Sequence, residues 1–373
     1  MYEFVRSEGI FLYDKNGKSY IDLISGIAVN NVGHCNPDVI AAIKNQVDKY
    51  SHQMVYGEYV VHPQIELAKT VAKYLPSNLQ SFYFLNSGSE AIEGAMKLVK
   101  KYTGRSKIVA MRNAYHGSSS GSLSMMSDEY YSGSFKPLLP NIFFMDYNDL
   151  NTLEIIDEAT AAVFIEPIQA EIGYLPATQE FLNALREKCN ETGTLLVFDE
   201  IQTGIGRTGK LFAFEHYNVV PDILVSAKAL GGGMPIGAFI SSREIMKSIE
   251  DNPILGHITT FGGHPVSCAA GNAAVKYIFK KQLLDSVPEK EDLFRALLVH
   301  PKIKKISGKG LMLSIELDSF KEVERTMKRC IDRGVIIDWF LYNTNCLRIS
   351  PPLIISKSEI HEVCKIVLQS LDE

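Results

Sequence analysis

Seven short, almost unbroken apolar runs set the narrowest limit on what this chain can fold into; they lie at residues 82–85, 107–111, 142–145, 161–165, 194–198, 222–226 and 236–240. Each has the length of a strand, and helix-like stretches lie between them, as in the periodic series Ala91, Ala95, Leu98, Val99 and Tyr102. A strand with one wet face alternates apolar and polar residues, whereas one that is apolar at nearly every position is covered on both faces. The pattern predicts an α/β fold with a mostly parallel seven-stranded sheet between two layers of helices. Before this region, residues 9–22 read as a hairpin turning at Lys15-Asn16-Gly17. After it, a long helix from about Val266 leads into strands at 310–317, 335–337 and 346–349, separated by amphipathic helices. The two chain ends are expected to build one smaller α+β domain. The predicted division is 1–48 for its N-terminal part, 49–270 for the large domain and 271–373 for its C-terminal part. A chain of 373 residues, 46% of them hydrophobic, has the material for both cores.

Two of these strands end in residues with chemistry. Run 194–198 leads into Asp199-Glu200-Ile201-Gln202, and run 222–226 into Lys228, with Gly231-Gly232-Gly233 just beyond. A desolvated lysine loses its proton readily and can condense with an aldehyde, and a buried aspartate keeps a pyridine nitrogen protonated so that the ring acts as an electron sink. Together they are the pair a pyridoxal enzyme needs, although a lysine before glycines is more often an exposed loop residue. Ser87-Gly88-Ser89-Glu90 follows a strand and opens a helix, with Ser87 and Glu90 spaced as a capping box. The N–H groups of Gly88 and Ser89 are then free to receive an anion, and a phosphate fits there; an ordinary helix cap is the plain alternative. Tyr115 follows run 107–111, so its ring belongs either at the same sheet edge or in the core.

These segments stand in a familiar order: Gly26-Ile27-Ala28-Val29-Asn30 with Gly33-His34, Asn86-Ser-Gly-Ser-Glu-Ala91, Tyr115-His116-Gly117, Glu166-Pro-Ile-Gln169, Asp199-Glu-Ile-Gln-Thr-Gly204, Lys228, Thr259-Thr-Phe-Gly-Gly263 and Leu347-Arg348. Taken together they resemble the class III aminotransferases of the ornithine and acetylornithine type, within the fold-type I pyridoxal phosphate superfamily. The resemblance implies pyridoxal 5'-phosphate as cofactor, with Lys228 holding it covalently and shuttling the reaction's proton, and Asp199 on its ring nitrogen. It gives the phosphate to Gly88 and Ser89, the ring face to Tyr115 and the ring 3-oxygen to Gln202. Thr260 is implied to reach the phosphate from a neighbouring subunit, which makes a homodimer with shared sites. Glu171 and Arg348 match a gate in which the arginine binds the 2-oxoglutarate carboxylate in one half-reaction and is neutralised by the glutamate in the other; Thr259 falls on the substrate side. The implied reaction moves the terminal amine of acetylornithine, or a close ω-amino relative, to 2-oxoglutarate, in arginine biosynthesis. Ornithine, 4-aminobutyrate and succinylated ornithine are the alternative amines. The sequence departs from the family at Ser118, where an arginine usually follows the aromatic-His-Gly motif and grips a substrate carboxylate. Arg112 is near it in sequence. The family pattern also carries a further segment ahead of the block beginning at Phe4, so part of the substrate entrance is expected to differ.

Rival readings find less support. Gly204-Ile-Gly-Arg-Thr-Gly209-Lys210 satisfies two nucleotide-loop patterns, but Leu211 stands where a P-loop needs Ser or Thr for magnesium, and the Asp199–Thr203 segment separates the glycines from their strand. A pyridoxal-fold protein that only binds is disfavoured by the presence of Lys228, Asp199 and Gln202. A net charge of −5 and pI ≈ 6.0 speak against a nucleic-acid or anionic-membrane partner, and the lysine-rich stretch 302–309 reads as solvated surface. The six cysteines and nine histidines show no metal-ligand spacing. With no apolar run of membrane-spanning length and no signal-peptide pattern, a soluble cytoplasmic protein is expected.

Overall fold

The structure is a computed structural model that describes residues 2–372. Seven strands form the main sheet: β1 (Ser81–Leu85), β2 (Lys107–Met111), β3 (Ile142–Met145), β4 (Thr160–Ile165), β5 (Leu195–Asp199), β6 (Ile223–Ala227) and β7 (Gly237–Ser241). Their spatial order is β1-β7-β6-β5-β4-β2-β3. The five strands β6, β5, β4, β2 and β3 run parallel, and β7 is antiparallel to both β6 and β1. The reason is connection length. Residues 228–236 join β6 to β7, fewer than the dozen or more that a parallel crossover needs. Every residue of β4, β5, β6 and β7 is buried, while the edge strands β1 and β3 are partly open, which accounts for the apolar runs. A separate apolar cluster fills each face of the sheet.

The helix Gly88–Thr103 packs on β6 and β7 through Ala91, Ile92, Ala95, Met96, Leu98 and Val99 and stops at Gly104 (φ 69°). Each large apolar side chain buried in this way contributes about 1.5–3 kcal/mol relative to exposure. The chain ends meet in one sheet: Phe4–Glu8, Phe11–Asp14 and Ser19–Asp22 are completed by Val335–Ile336, which pairs parallel with Ser19–Asp22. Gly17 (φ 83°) turns the expected hairpin and donates its N–H to Asp14 O at 3.0 Å. A second four-stranded sheet contains Lys305–Gly308, Leu313–Glu316, Cys346–Ile349 and Asp338–Trp339.

Two expectations are corrected here. The stretch read as lysine-rich solvated surface contains the edge strand Lys305–Gly308, and charged lysines on an edge are a normal guard against further pairing. The strand expected over 310–317 begins only at Leu313, because Gly310 (φ 64°) and the Lys309 N–H to Met312 O bond (3.1 Å) belong to the turn before it. Among the described residues, no helix is long and apolar enough to cross a membrane, and no group of three or more His, Cys, Asp or Glu side chains is arranged to hold a metal.

Candidate active site

Parallel strands deliver their C-terminal ends to one edge of a sheet, and there β5 ends in Asp199 while β6 leads directly into Lys228. A cavity of about 440 Å³ opens at this edge and is lined by Gly88, Ser89, Tyr115, Asp199, Gln202 and Lys228, among others. Six of the seven positions expected to hold the cofactor therefore share one space, of a size suited to a small ligand. Thr260 does not line it; it is exposed on a neighbouring loop.

Lys228 sits at φ 47°, a left-handed conformation that costs a non-glycine residue on the order of 1 kcal/mol. Lys228 lines the cavity from this turn. Burial, helped by the positive charge of Arg348, lowers its pKa to about 8 against the opposing charges of Glu171 and Asp199. Asp199 is buried, and its Oδ2 accepts a hydrogen bond from His116 Nδ1 at 2.7 Å while its Oδ1 accepts from Ile201 N at 2.9 Å. Burial disfavours a charge on His116, yet the Asp199 hydrogen bond and charge, with Glu166 adding, outweigh it and raise the imidazole pKa. The Nε2 atom of His116 has no partner among the described residues. Glu166 lies beside this pair and accepts from Tyr115 N (3.2 Å) and Ala170 N (2.9 Å), fixing the backbone that carries the aromatic ring. Burial, partly offset by His116, pushes its carboxyl up to about 7. In the sequence, His116 and Glu166 stand out only as parts of motifs. Their partnership with Asp199 crosses from one strand end to another, and no local spacing encodes it.

At the other end of the cavity the helix Gly88–Thr103 presents its N-terminus. Ser87 caps it by accepting from Glu90 N at 3.2 Å. The reciprocal half of the expected capping box is different: Glu90 Oε2 accepts from Asn86 N (2.7 Å) and Asn86 Nδ2 (2.8 Å), because the strand-to-helix corner turns Asn86 inward. Close approach is built into this corner. A Cβ on Gly88 would lie 2.9 Å from Ile201 Cδ1, and one on Gly117 (φ 127°) would run into Ser89 Oγ. Asn86 Nδ2 also donates to Thr259 Oγ1 at 3.0 Å, and Thr259 lines a second cavity of about 550 Å³ rather than the first.

Arg348, on the strand Cys346–Ile349, donates through Nη2 to both carboxylate oxygens of Glu171 at 2.9 and 2.7 Å. Its Nη1 reaches Gln202 Oε1 at 3.1 Å, so the pair abuts the cavity wall. Burial alone would raise the Glu171 pKa, but the charge and hydrogen bonds of Arg348 bring it below the usual value. Arg112 lies elsewhere. It is exposed and pairs with Asp146 at 3.1 Å, outside the cavity lining. The Gly204–Lys210 segment starts no helix; it wraps the buried Arg207, which donates to Leu311 O at 3.0 Å and also to Pro351 O and Asn31 Oδ1.

The arrangement fits pyridoxal phosphate on its own chemistry. A lysine with a lowered pKa faces a buried, hydrogen-bonded carboxylate across a cavity, and a helix N-terminus with glycine clearance lies at one end. The comparisons agree. The family description "Aminotransferase class-III" matches residues 1–371. The chain is a class-III aminotransferase. It is 39% identical, over 99% of its length and 94% of the relative, to the acetylornithine aminotransferase of Caldanaerobacter subterraneus subsp. tengcongensis. It is 36% identical, over 98% of its length and 94% of the relative, to the [LysW]-aminoadipate semialdehyde/glutamate semialdehyde transaminase of Sulfolobus acidocaldarius. Among solved structures, the ornithine aminotransferase of Toxoplasma gondii, crystallised with its active site partly occupied by PLP, superposes with a TM-score of 0.91 at 28% identity, covering 99% of this chain and 90% of that one. As a class-III aminotransferase the protein is a transaminase that depends on pyridoxal phosphate.

Proposed function

We propose that this aminotransferase moves the terminal amine of acetylornithine, or of a close ω-amino relative, to 2-oxoglutarate, and that it does so as a cytoplasmic homodimer in arginine biosynthesis. The observation that carries the reading is the buried Glu171–Arg348 pair, in which one guanidinium nitrogen reaches both carboxylate oxygens, beside Gln202. A buried guanidinium that can exchange an internal carboxylate for an external one lets a single cavity take an amine and then a dicarboxylate. The names of relatives at 36–39% identity support the amine class.

Bound pyridoxal phosphate supplies an electron sink for the carbon that loses its proton. In this reading Lys228 binds the cofactor through its ε-amine and, once displaced by the amino substrate, moves the proton at the substrate carbon; its lowered pKa suits it to both tasks. Asp199, held by His116, keeps the ring nitrogen protonated. Gly88 and Ser89 offer backbone N–H groups to the phosphate, Tyr115 covers the ring face and Gln202 approaches the ring oxygen. Thr260 is supplied to the phosphate by the partner subunit, and Thr259 stands on the substrate side. Residues 49–270 form the cofactor-binding domain, with 1–48 and 271–373 making the smaller one; the sheet shared by the two chain ends supports that division.

The test is a panel of amines added singly to the cofactor-loaded protein while its visible absorbance is followed. Acetylornithine and glutamate should each discharge the colour, and 2-oxoglutarate should restore it. Discharge by ornithine or 4-aminobutyrate but not by acetylornithine would replace the proposed amine.

A further inference from the structure

Neither the Gly26–Asn30 block nor the loop Gly204–Lys210 supplies a side chain to the chemistry above, yet the two meet at one buried residue. Arg207 is wholly enclosed. Its Nη1 donates to Leu311 O (3.0 Å) and to Pro351 O, and its Nη2 donates to Asn31 Oδ1, directly after the first block. Further bonds tie the same segments together: Leu311 N donates to Arg207 O at 3.0 Å, Asn31 Nδ2 to Ile205 O at 2.7 Å and Leu353 N to Asn31 O at 2.8 Å. The junction has no slack. A Cβ on Gly310 would lie 2.6 Å from Thr208 Cα, and one on Gly206 would lie 2.9 Å from Leu353 Cδ1.

None of the three acceptors of this guanidinium is a carboxylate. A cation held only by neutral oxygens is costly to bury, and burial lowers its pKa to about 10. Apolar side chains of similar volume often stabilise a buried position as well or better. What a guanidinium adds is a flat fork with fixed donor directions. Leu311 lies just before the strand Leu313–Glu316 and Pro351 just past Cys346–Ile349; these strands pair antiparallel, with Ser314 opposite Arg348. Arg207 thus grips one end of the ladder that presents Arg348. It also stands on the same loop as Gln202, whose Oε1 accepts from Arg348 Nη1 at 3.1 Å. In the gate reading Glu171 releases Arg348 to the acceptor, and the guanidinium then depends on its own strand and on Gln202 for its place.

We infer that Arg207 is a positioning residue for the acceptor: it fixes the Arg348 strand against the Gln202 loop, so that the guanidinium freed from Glu171 meets a dicarboxylate at the cavity wall. The inference rests on the gate reading above and extends it to a residue outside the cavity lining.

Glutarate, a dicarboxylate with no carbonyl to react, tests it through binding alone. Its Kd for the cofactor-loaded protein is measured by calorimetry, and the Kd of pyridoxal phosphate for the cofactor-free protein serves as the reference. Arg207→Lys keeps the charge and loses the fork. It should weaken glutarate about tenfold or more while changing cofactor affinity by less than about threefold. In an Arg348→Ala background the same change should add nothing, because both act through one guanidinium. Equal losses of glutarate and cofactor affinity, or a loss that adds to that of Arg348→Ala, overturn the inference and make Arg207 a general brace. If Arg348→Ala weakens glutarate and Arg207→Lys does not, the inference fails and the gate reading stands. If Arg348→Ala leaves glutarate binding unchanged, the gate reading fails and the inference fails with it. Should Arg207→Lys not fold, Asn31→Ala, which removes one acceptor of the fork, carries the test: a selective loss of glutarate affinity supports the inference, and unchanged affinity overturns it.

Discussion

An amine attacks an aldehyde only as its free base, so with Lys228 in its proposed role its pKa sets the pH at which the protein can take up a carbonyl compound. At about 8, instead of the ordinary 10.5, roughly a tenth of the amine is free at neutral pH. The sign follows from the cause: burial penalises the ammonium, so the group is protonated below about 8 and reactive above it. Cofactor-free protein mixed with pyridoxal, which lacks the phosphate, should therefore bind it with a rate that climbs through a midpoint near 8 and then levels off. Replacing Glu171 by Gln removes an anion that favours the ammonium and should move the midpoint down, whereas Arg348→Ala removes a competing cation and should move it up. A midpoint near 10 that ignores both changes would show that the amine is not desolvated. In its proposed role of keeping the pyridine nitrogen protonated, Asp199 cannot be dispensed with. Asp199→Ala should leave the fold intact by circular dichroism and lower transamination by orders of magnitude; near-normal turnover would reduce Asp199 to a strand-end carboxylate. That Lys228 and Asp199 share one sheet edge was legible in the sequence because each stands where an apolar strand ends. His116 was not, since its bond to Asp199 joins residues 83 positions apart and depends on which strands become neighbours.

Elements explain why some of the architecture could be read directly and some could not. Strands β4 to β7 are buried on both faces, so their sequence is apolar at nearly every position, and a covered sheet follows from that alone. Strand direction is a different matter. Apolarity says nothing about orientation, and the reversal of β7 comes from the short connection carrying Lys228. Lys305–Gly308 escaped notice because an edge strand can afford to look like surface. The close packing of Gly117 against Ser89 is likewise a property of two elements meeting, the loop after β2 and the start of the helix Gly88–Thr103. At φ 127° with Ser89 Oγ in the way, a methyl group strains the backbone and displaces the helix N-terminus together. Gly117→Ala should lower stability by about 1–3 kcal/mol in denaturant unfolding and weaken pyridoxal phosphate binding at least tenfold. An unchanged unfolding midpoint and unchanged affinity would mean that the corner has room the geometry denies.

For the whole molecule, the decisive question is whether one chain makes a complete site. Thr260 lies outside the cavity, on a loop that also exposes Ile254, Leu255, Ile258 and Phe261, and a second loop exposes Met54, Tyr59 and Val60. Apolar side chains gathered in this way on a surface mark a contact, and a symmetric contact would carry Thr260 of each chain toward the other's phosphate corner. Complementation separates the two arrangements. When Lys228→Ala and Thr260→Ala proteins are mixed and allowed to exchange subunits, a trans arrangement gives each heterodimer one site with both residues intact and one with neither. Random exchange makes half the dimers mixed, so at limiting pyridoxal phosphate the mixture should recover roughly a quarter of wild-type activity, well above either parent. In a cis arrangement every site keeps one defect, and mixing adds nothing. Recovery absent despite subunit exchange, verified by differently tagged chains, would therefore return Thr260 to its own subunit and leave the exposed loops without a role in the chemistry.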